Sequence, residues 1–165
     1  MVTVDNEFAT PRDAANDPRI LVFGRLLGAA NRLEYILGRA LEEDAGISHS
    51  VFELLLVVGR AGGAGVPVRD IAQSRVLTSG GATRLVQRAL EQGLISRSAS
   101  VEDGRVQLIE LTPHGEDVLT RASTAHARNI ERYLLDVLPD DQAEMLAESL
   151  KTLSKSAAQA LPVMP

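Results

Sequence analysis

The main candidates for chemistry in this sequence are four arginines in residues 78–111: Arg84, Arg88, Arg97 and Arg105. Between residues 82 and 90 apolar residues recur at intervals of three and four, which is typical of a helix with one buried face. The opposite, solvent-facing side of that helix would be polar and basic, carrying Thr83, Arg84, Gln87, Arg88 and Glu91. A basic face of this kind suits a negatively charged partner such as a phosphate.

The start of this helix has a second feature that favours anions. Thr78 and Ser79 are both N-cap candidates, because a side-chain oxygen there accepts a backbone N–H that lacks a helical partner. Gly80 and Gly81 follow, which costs helix stability but lets another molecule approach the backbone. Helix N-termini attract phosphate. Gly93 predicts the end of the helix, since glycine tolerates a positive φ.

Two short strands follow, at residues 94–97 and 106–111, with Asp103-Gly104 as a strong turn dipeptide between them. This hairpin would carry Arg105 at its tip. Val106, Leu108 and Leu111 are predicted to share one face of the second strand, with Gln107 on the other. Arg97, on the first strand, could contact a phosphate or pair with an acidic residue of the hairpin, and the sequence favours neither.

A short helix, a basic helix and a hairpin, in that order, form a winged helix-turn-helix pattern. In such proteins the second helix enters the major groove of DNA. An arginine on a projecting hairpin suits the narrow, electronegative minor groove nearby. Any one of these arginines alone would more often be an ordinary solvated charge, so the inference rests on the order of the elements.

The flanking segments predict the elements that position this unit. Asp17-Pro18 begins a long amphipathic helix that ends near residues 42–46. Ser48 or Ser50 would cap the next helix, and Ser50 forms a capping box with Glu53. After a glycine-rich loop, residues 66–68 would add a third strand beside the hairpin, and residues 69–75 a brief helix.

Two further helices are predicted after the hairpin. Thr112-Pro113 is a start signal for a helix that runs to about Leu138. Pro139 ends it, and Asp140 or Asp141 would cap the last helix. The fold is therefore mainly α with a small β-hairpin wing (α+β).

Three regions are expected: a tail with a long helix (1–46), a winged helix-turn-helix (47–111) and C-terminal helices (112–165). The acidic, apolar-striped outer helices fit a homodimerisation module. For the first long helix, the alternative that it only covers its own core is equally compatible with the pattern.

Composition and charge limit the possible classes. The 165 residues are 45% hydrophobic and 24% charged, which is ordinary for a soluble globular protein. The absence of cysteine excludes disulfides, thiolate zinc sites and cysteine redox switches. No apolar run reaches the roughly 20 residues that span a bilayer, and the acidic N-terminal stretch is not typical of a signal peptide. We expect a cytoplasmic protein with no membrane partner.

The net charge of −5 is unevenly distributed. Residues 47–111 carry seven Arg against six Asp and Glu, whereas each flanking region has a balance of −3. DNA binding would therefore depend on a local patch, with acidic flanks limiting non-specific association.

No catalytic or metal-binding pattern appears. The histidines are His49, His114 and His126, and a metal site would need several convergent ligands. His114 and Glu116 lie two apart on a helix and do not share a face, and His126 has no carboxylate three or four residues further on. The glycine-rich run at 62–65 lacks the Lys and Ser/Thr of a phosphate-binding loop. We expect no enzymatic activity, no cofactor and no metal.

Four segments carry a resemblance to a known family: residues 82–88, 93–97, 103–106 and 111–115. Together they resemble the multiple-antibiotic-resistance regulator (MarR) family over nearly the whole chain. The wing Asp-Gly-Arg and the segment Leu-Thr-Pro-His-Gly are the most specific parts of the resemblance.

The resemblance implies a homodimeric winged helix-turn-helix regulator, a repressor or an activator, that binds a palindromic operator in double-stranded DNA. It also implies release by a small aromatic or phenolic ligand bound between the DNA-binding and dimerisation regions. The sequence identifies no residues of that ligand site. The alternative is a winged-helix module for protein–protein contact, without a DNA partner.

On the matching positions, Arg105 would be the minor-groove arginine and Asp103 would hold the wing tip. Gly80-Gly81 departs from the family pattern by removing hydroxyl groups, so phosphate contact there would come from backbone N–H groups. Gln87 stands where an acidic residue is frequent. The predicted DNA-binding set is Thr78, Ser79, Gly80, Thr83, Arg84, Gln87, Arg88, Arg97, Asp103 and Arg105.

Overall fold

The computed structural model describes residues 8–74, 78–100 and 105–161, and the chain divides into two compact units, residues 1–36 and 37–165. The first unit contains α1 (Pro11–Ala15) and residues 18–36 of α2 (Pro18–Ala45). This part of α2 exposes a series of large apolar side chains: Ile20, Leu21, Val22, Phe23, Leu26, Leu27, Tyr35 and Ile36.

The second unit is built around α3 (His49–Ala61), whose Val51, Leu54 and Leu55 are completely buried. Against it pack α4 (Val68–Ser74), α5 (Ser79–Glu91) and α6 (Pro113–Ile130). A single 3₁₀ turn (Gly62–Ala64) follows α3, and a π-helical turn (Glu131–Leu135) extends α6. The chain continues into α7 (Asp140–Ala160).

Three short antiparallel strands form the sheet of the described residues: β1 (Val66–Pro67), β2 (Ile95–Ala99) and β3 (Gln107–Leu111), in the order β1-β3-β2. The predicted third strand beside the hairpin is confirmed, although α4 already begins at Val68. The mainly helical winged fold that the sequence predicted is also confirmed.

The register of the sheet corrects one prediction about its core face. Ile109 pairs with Val66 on one side and Arg97 on the other, and it is completely buried. Val106 and Leu108, predicted to share one face of the strand with Leu111, are only half-buried. Because alternate residues of a strand point to opposite faces, burial of Ile109 turns Leu108 to the other side.

Most helix-start predictions are confirmed, and two are wrong. Ser48 caps α3, with its Oγ accepting the Val51 N–H at 3.4 Å. Ser50 lies inside that helix, so the predicted capping box with Glu53 does not form. Pro139, and not Asp140 or the next residue, precedes α7; both aspartates lie in its first turn, where the helix dipole favours negative charge.

The junction between α5, β2 and α6 is held by Thr112. Its Oγ1 donates to the Gly93 carbonyl at 2.7 Å and accepts the Gly115 N–H at 3.0 Å, while its own N–H donates to the Leu94 carbonyl at 3.1 Å. Gly93 has a φ of +67°, as predicted for the end of α5. The N-terminus of α6 is therefore fixed directly to the turn that precedes the hairpin.

The last helix buries none of its side chains within this chain. Met145, Leu150 and Leu153 are among its exposed apolar residues. Over the parts of the chain that the structure describes, no helix is both long enough and apolar enough to cross a membrane.

Candidate nucleic-acid interface

The outer surface of α5 is polar, as the sequence predicted. Ala82, Val86 and Ala89 are completely buried against the core, and Leu85 is nearly so. The residues between them, on the opposite face, are all exposed: Gly80, Thr83, Arg84, Gln87 and Arg88. Packing of the apolar stripe onto α3 therefore determines which side chains of α5 face outward.

The N-terminus of α5 is capped and open to solvent. The Thr78 Oγ1 accepts the Gly81 N–H at 3.2 Å, which confirms Thr78 as the N-cap. Ser79 is the first helical residue, and its side chain lies outside the described part of the structure. A Cβ added at Gly80 would meet no atom within 4 Å, so nothing in the described chain blocks approach to this turn.

The polar groups of α5 differ in how they are held. Gln87 donates from Nε2 to Glu91 Oε1 at 3.1 Å, which leaves the amide oxygen as an acceptor. Arg84 and Arg88 have no ion-pair partner among the described residues. A guanidinium in that situation can bind an incoming phosphate or base without first leaving another partner.

A groove with a volume of about 420 Å³ lies between the start of α4 and the hairpin, and α5 borders it with Thr83. Three arginines from different elements line it: Arg69 of α4, Arg97 of β2, and Arg105 just before β3. The other residues that line it are Pro67, Val68, Thr83, Val106 and Gln107. None of these eight residues is acidic, so the groove suits an anion.

The sheet register explains why Arg97 reaches this groove. Arg97 pairs with the buried Ile109, and Ala99 pairs with Gln107. Paired residues of antiparallel strands point to the same face. Arg97 and Gln107 therefore lie on the same face of the sheet as the buried Ile109, beyond the point at which the core ends. This placement favours the phosphate-contact alternative for Arg97.

Of the predicted residues, the structure brings Thr83, Arg97 and Arg105 together in one groove. Arg105 is exposed at the base of the hairpin tip. Asp103, predicted to hold that tip, lies outside the described residues, as does the acidic residue before it. The role of each residue in DNA binding stays a prediction.

The sequence did not predict that Arg69 and Gln107 would line the groove. The pairing of Pro67 with Leu108 brings the first turn of α4 beside the hairpin. The predicted third strand was the only signal in the sequence that could have indicated this contact, because the two segments lie about forty residues apart.

A second cluster of titratable side chains lies between α3 and α6. His126 of α6 is buried, packs edge-to-face on Phe52 with ring centres 4.8 Å apart, and lies 5.8 Å from the ring of His49. Its Nδ1 has no hydrogen-bond partner among the described residues. Burial, followed by the nearby His49, lowers the pKa of His126, and Glu53 opposes this shift. No group of three or more possible metal ligands occurs in the described chain.

A three-stranded antiparallel sheet beside a helix with a basic outer face defines the winged helix-turn-helix class. A family model described as the MarR family matches residues 45–106, from the end of α2 to the hairpin. Residues 45–106 are therefore similar to the MarR family, a family of transcriptional regulators.

Two curated relatives from Bacillus subtilis (strain 168) show a similarity of the same kind. The HTH-type transcriptional regulator MhqR is 31% identical over 93 residues, which are 56% of this chain and 63% of the relative. The uncharacterized HTH-type transcriptional regulator YdgJ is 27% identical over 109 residues, 66% of this chain and 63% of the relative. The matches thus span less than two thirds of the length of either relative.

Solved structures show the same fold at lower identity. Sco3205, a MarR family transcriptional regulator from Streptomyces coelicolor in complex with DNA, has a TM-score of 0.77 at 24% identity, covering 94% of this chain and 96% of that one. A mutant of MarR from E. coli, complexed with operator DNA, has a TM-score of 0.72 at 21% identity, covering 82% of this chain and 95% of that one.

Proposed function

We propose that this protein is a sequence-specific DNA-binding regulator that acts as a homodimer on a palindromic operator. One observation carries the proposal: the exposed polar face of α5 borders a groove that three arginines line, and none of its described lining residues is acidic. The DNA complexes of Sco3205 and of the E. coli MarR mutant, which share the fold, support it.

In this proposal α5 enters the major groove and the hairpin reaches the adjacent minor groove. Arg84, Gln87 and Arg88 then face base edges and phosphates, because they occupy the outward positions of α5. Arg105 lies at the hairpin end, where a narrow minor groove would attract its charge. The open first turn at Gly80 would present backbone N–H groups to a phosphate.

The proposal of a homodimer rests on apolar surface that each unit leaves exposed. The first half of α2 exposes residues such as Val22, at 64%, and Phe23, at 60%. In the second unit, α7 exposes Met145 at 65% and Leu153 at 56%. Contiguous apolar surface of this kind indicates an interface. We infer that residues 1–46 and 112–165 form the dimerisation regions and that residues 47–111 bind DNA.

A second copy of the chain is the simplest occupant, because most soluble oligomers are symmetric homodimers. A two-fold pair would present two α5 helices to successive major grooves, about 34–36 Å apart. This geometry requires an inverted repeat in the DNA.

The regulator would act by repression, since a dimer on an operator blocks access to the promoter. Release by a small aromatic or phenolic ligand is part of the proposal, on the basis of family resemblance. The cytoplasm is the expected compartment. The competing proposal, a winged-helix module that binds only protein, is favoured by the net charge of −5.

Selection from a random duplex library, followed by fluorescence anisotropy on the selected sequence, tests the proposal. We expect an inverted repeat, binding by two chains per duplex, and an affinity that falls steeply with added salt. Weak binding that is equal for all duplexes would instead support the protein–protein module. Addition of phenols and aromatic carboxylates to the complex then tests release.

A further inference from the structure

The DNA contacts proposed for α5 and the hairpin tip do not account for the groove between the start of α4 and the hairpin, which α5 borders with Thr83. Arg69, Arg97 and Arg105 come from three elements that are distant in sequence, yet all line this one space. Pro67, Val68 and Val106 give it apolar lining. A cavity of about 420 Å³ lies in the range that holds small ligands and groups of that size.

The geometry of DNA indicates what would occupy this space. The major and minor grooves of a duplex are adjacent, and one sugar–phosphate backbone separates them. If α5 lies in the major groove and the hairpin in the next minor groove, that backbone must pass between them. The arginine-lined groove lies on this path, because α5 borders it with Thr83 and the hairpin lines it with Arg97 and Arg105.

We propose that this groove holds one stretch of DNA backbone, and that Arg69 is a phosphate-binding residue of the interface. The inference rests on the proposed DNA binding. The apolar lining then contacts deoxyribose, and the arginines bind the phosphate oxygens, with which a guanidinium forms bidentate hydrogen bonds.

The position of Arg69 is set by the fold. Pro67 pairs with Leu108 of the hairpin, and α4 begins at the next residue. Ile71, two residues beyond Arg69, is completely buried, which anchors α4 to the core. Arg69 itself projects into solvent, with 78% of its side chain exposed. The side chain is therefore held beside the hairpin but accessible to a ligand.

The ion pair that Arg69 makes does not prevent phosphate binding. Its Nε lies 3.3 Å from Asp70 Oδ1, and both side chains are exposed. Exposed pairs of this kind contribute little stability. Arginine has five N–H donors, and this contact uses one of them.

The salt dependence of binding to the selected operator provides the first test, with the full-length protein. Each phosphate contact contributes about 0.9 to the slope of log K against log salt concentration, and a homodimer has two copies of Arg69. Arg69→Ala should therefore reduce the slope by about 2, and Arg69→Lys should restore most of it. Arg121→Ala is the matched control, since Arg121 is also exposed and paired with an aspartate, Asp117, but lies on α6 outside the groove.

A methylphosphonate scan identifies the contacted phosphate. Single neutral methylphosphonates are placed in turn along one half-site, and affinities are measured for wild type and Arg69→Ala. We expect a position at which neutralisation weakens wild-type binding at least threefold but leaves the variant nearly unchanged. Such coupling reports a direct interaction and not a loss of folding, which circular dichroism checks independently.

An unchanged slope for Arg69→Ala, together with equal responses of wild type and variant at every methylphosphonate position, would overturn the inference while leaving DNA binding intact. Failure of the wild type to bind any duplex in a salt-dependent manner would overturn the proposed function itself. A slope change equal to that of Arg121→Ala would assign the effect to general charge and also refute a specific contact.

Discussion

Gly115 gives the strongest prediction about stability, because its Cα lies directly against the backbone of another element. A Cβ built at Gly115 would overlap the carbonyl oxygen of Leu94 and lie 2.8 Å from the carbonyl carbon and 3.3 Å from the Cα. These are main-chain atoms at the start of the hairpin, so they cannot rotate away as a side chain would. Gly115→Ala must therefore displace the N-terminus of α6 from the turn that precedes β2.

The cost follows from what this displacement disrupts. Overpacking of a rigid site costs about 1–3 kcal/mol. The three hydrogen bonds of Thr112 to Gly93, Leu94 and Gly115 would lengthen, at about 1 kcal/mol for each bond lost. The higher helix propensity of alanine returns about 0.5–1 kcal/mol. We expect a net destabilisation of about 2–4 kcal/mol, a large part of the roughly 5–15 kcal/mol typical of a folded protein.

Urea unfolding at a fixed protein concentration measures this change. Gly80→Ala is the matched control, since Gly80 also lies in the first turn of a helix but a Cβ there would meet no atom within 4 Å. The control should be neutral or stabilised by up to about 1 kcal/mol. A free energy of unfolding for Gly115→Ala within about 0.5 kcal/mol of wild type, the range of ordinary surface substitutions, would refute the predicted overlap.

Three further predictions concern DNA binding, pH and assembly. Arg105→Ala should weaken operator binding by about 1–3 kcal/mol in anisotropy titrations, and an unchanged affinity would remove the hairpin from the interface. The pKa of His126 lies below its ordinary value of 6.5 in the folded chain, so the unfolded chain binds the proton more tightly and stability should fall as the pH drops below 6.5. Thermal melts between pH 5 and 8 measure this loss of stability, and His126→Phe should remove part of it. His114→Gln, a control at an exposed histidine on the same helix, should retain the loss. Identical pH profiles for wild type and both variants would exclude His126 as the cause. Leu153→Asp should shift the protein toward monomer in analytical ultracentrifugation, because it places a charge on the exposed apolar face of α7, and an unchanged sedimentation coefficient would exclude that face from the dimer.

The features that sequence predicted well are those encoded by local signals. The outward face of α5 follows from apolar residues at helical spacing, and Thr78 and Thr112 are N-caps as predicted. These features depend on the chemistry of neighbouring residues along the chain. The wing and its third strand followed from turn and strand signals of the same kind.

The features that sequence missed depend on contacts between distant segments. Burial of Ile109 is fixed by the strand register, which alternation in a five-residue strand specifies weakly. Arg69 joins the groove only through the pairing of β1 with β3, and the close approach of Gly115 to Leu94 joins residues about twenty apart. Two nearby serines could each cap α3, and in the structure Ser48 is the cap.

The spacing between half-sites tests the central claim most directly: that two copies of this chain present their α5 helices to one face of a duplex. Anisotropy titrations compare the selected palindrome with a duplex in which about five base pairs are inserted between the half-sites, which rotates one half-site by about half a turn. We predict that the insertion lowers the affinity to that of a single half-site and that insertion of about ten base pairs partly restores it. Equal affinity for all three duplexes would contradict binding by a symmetric pair.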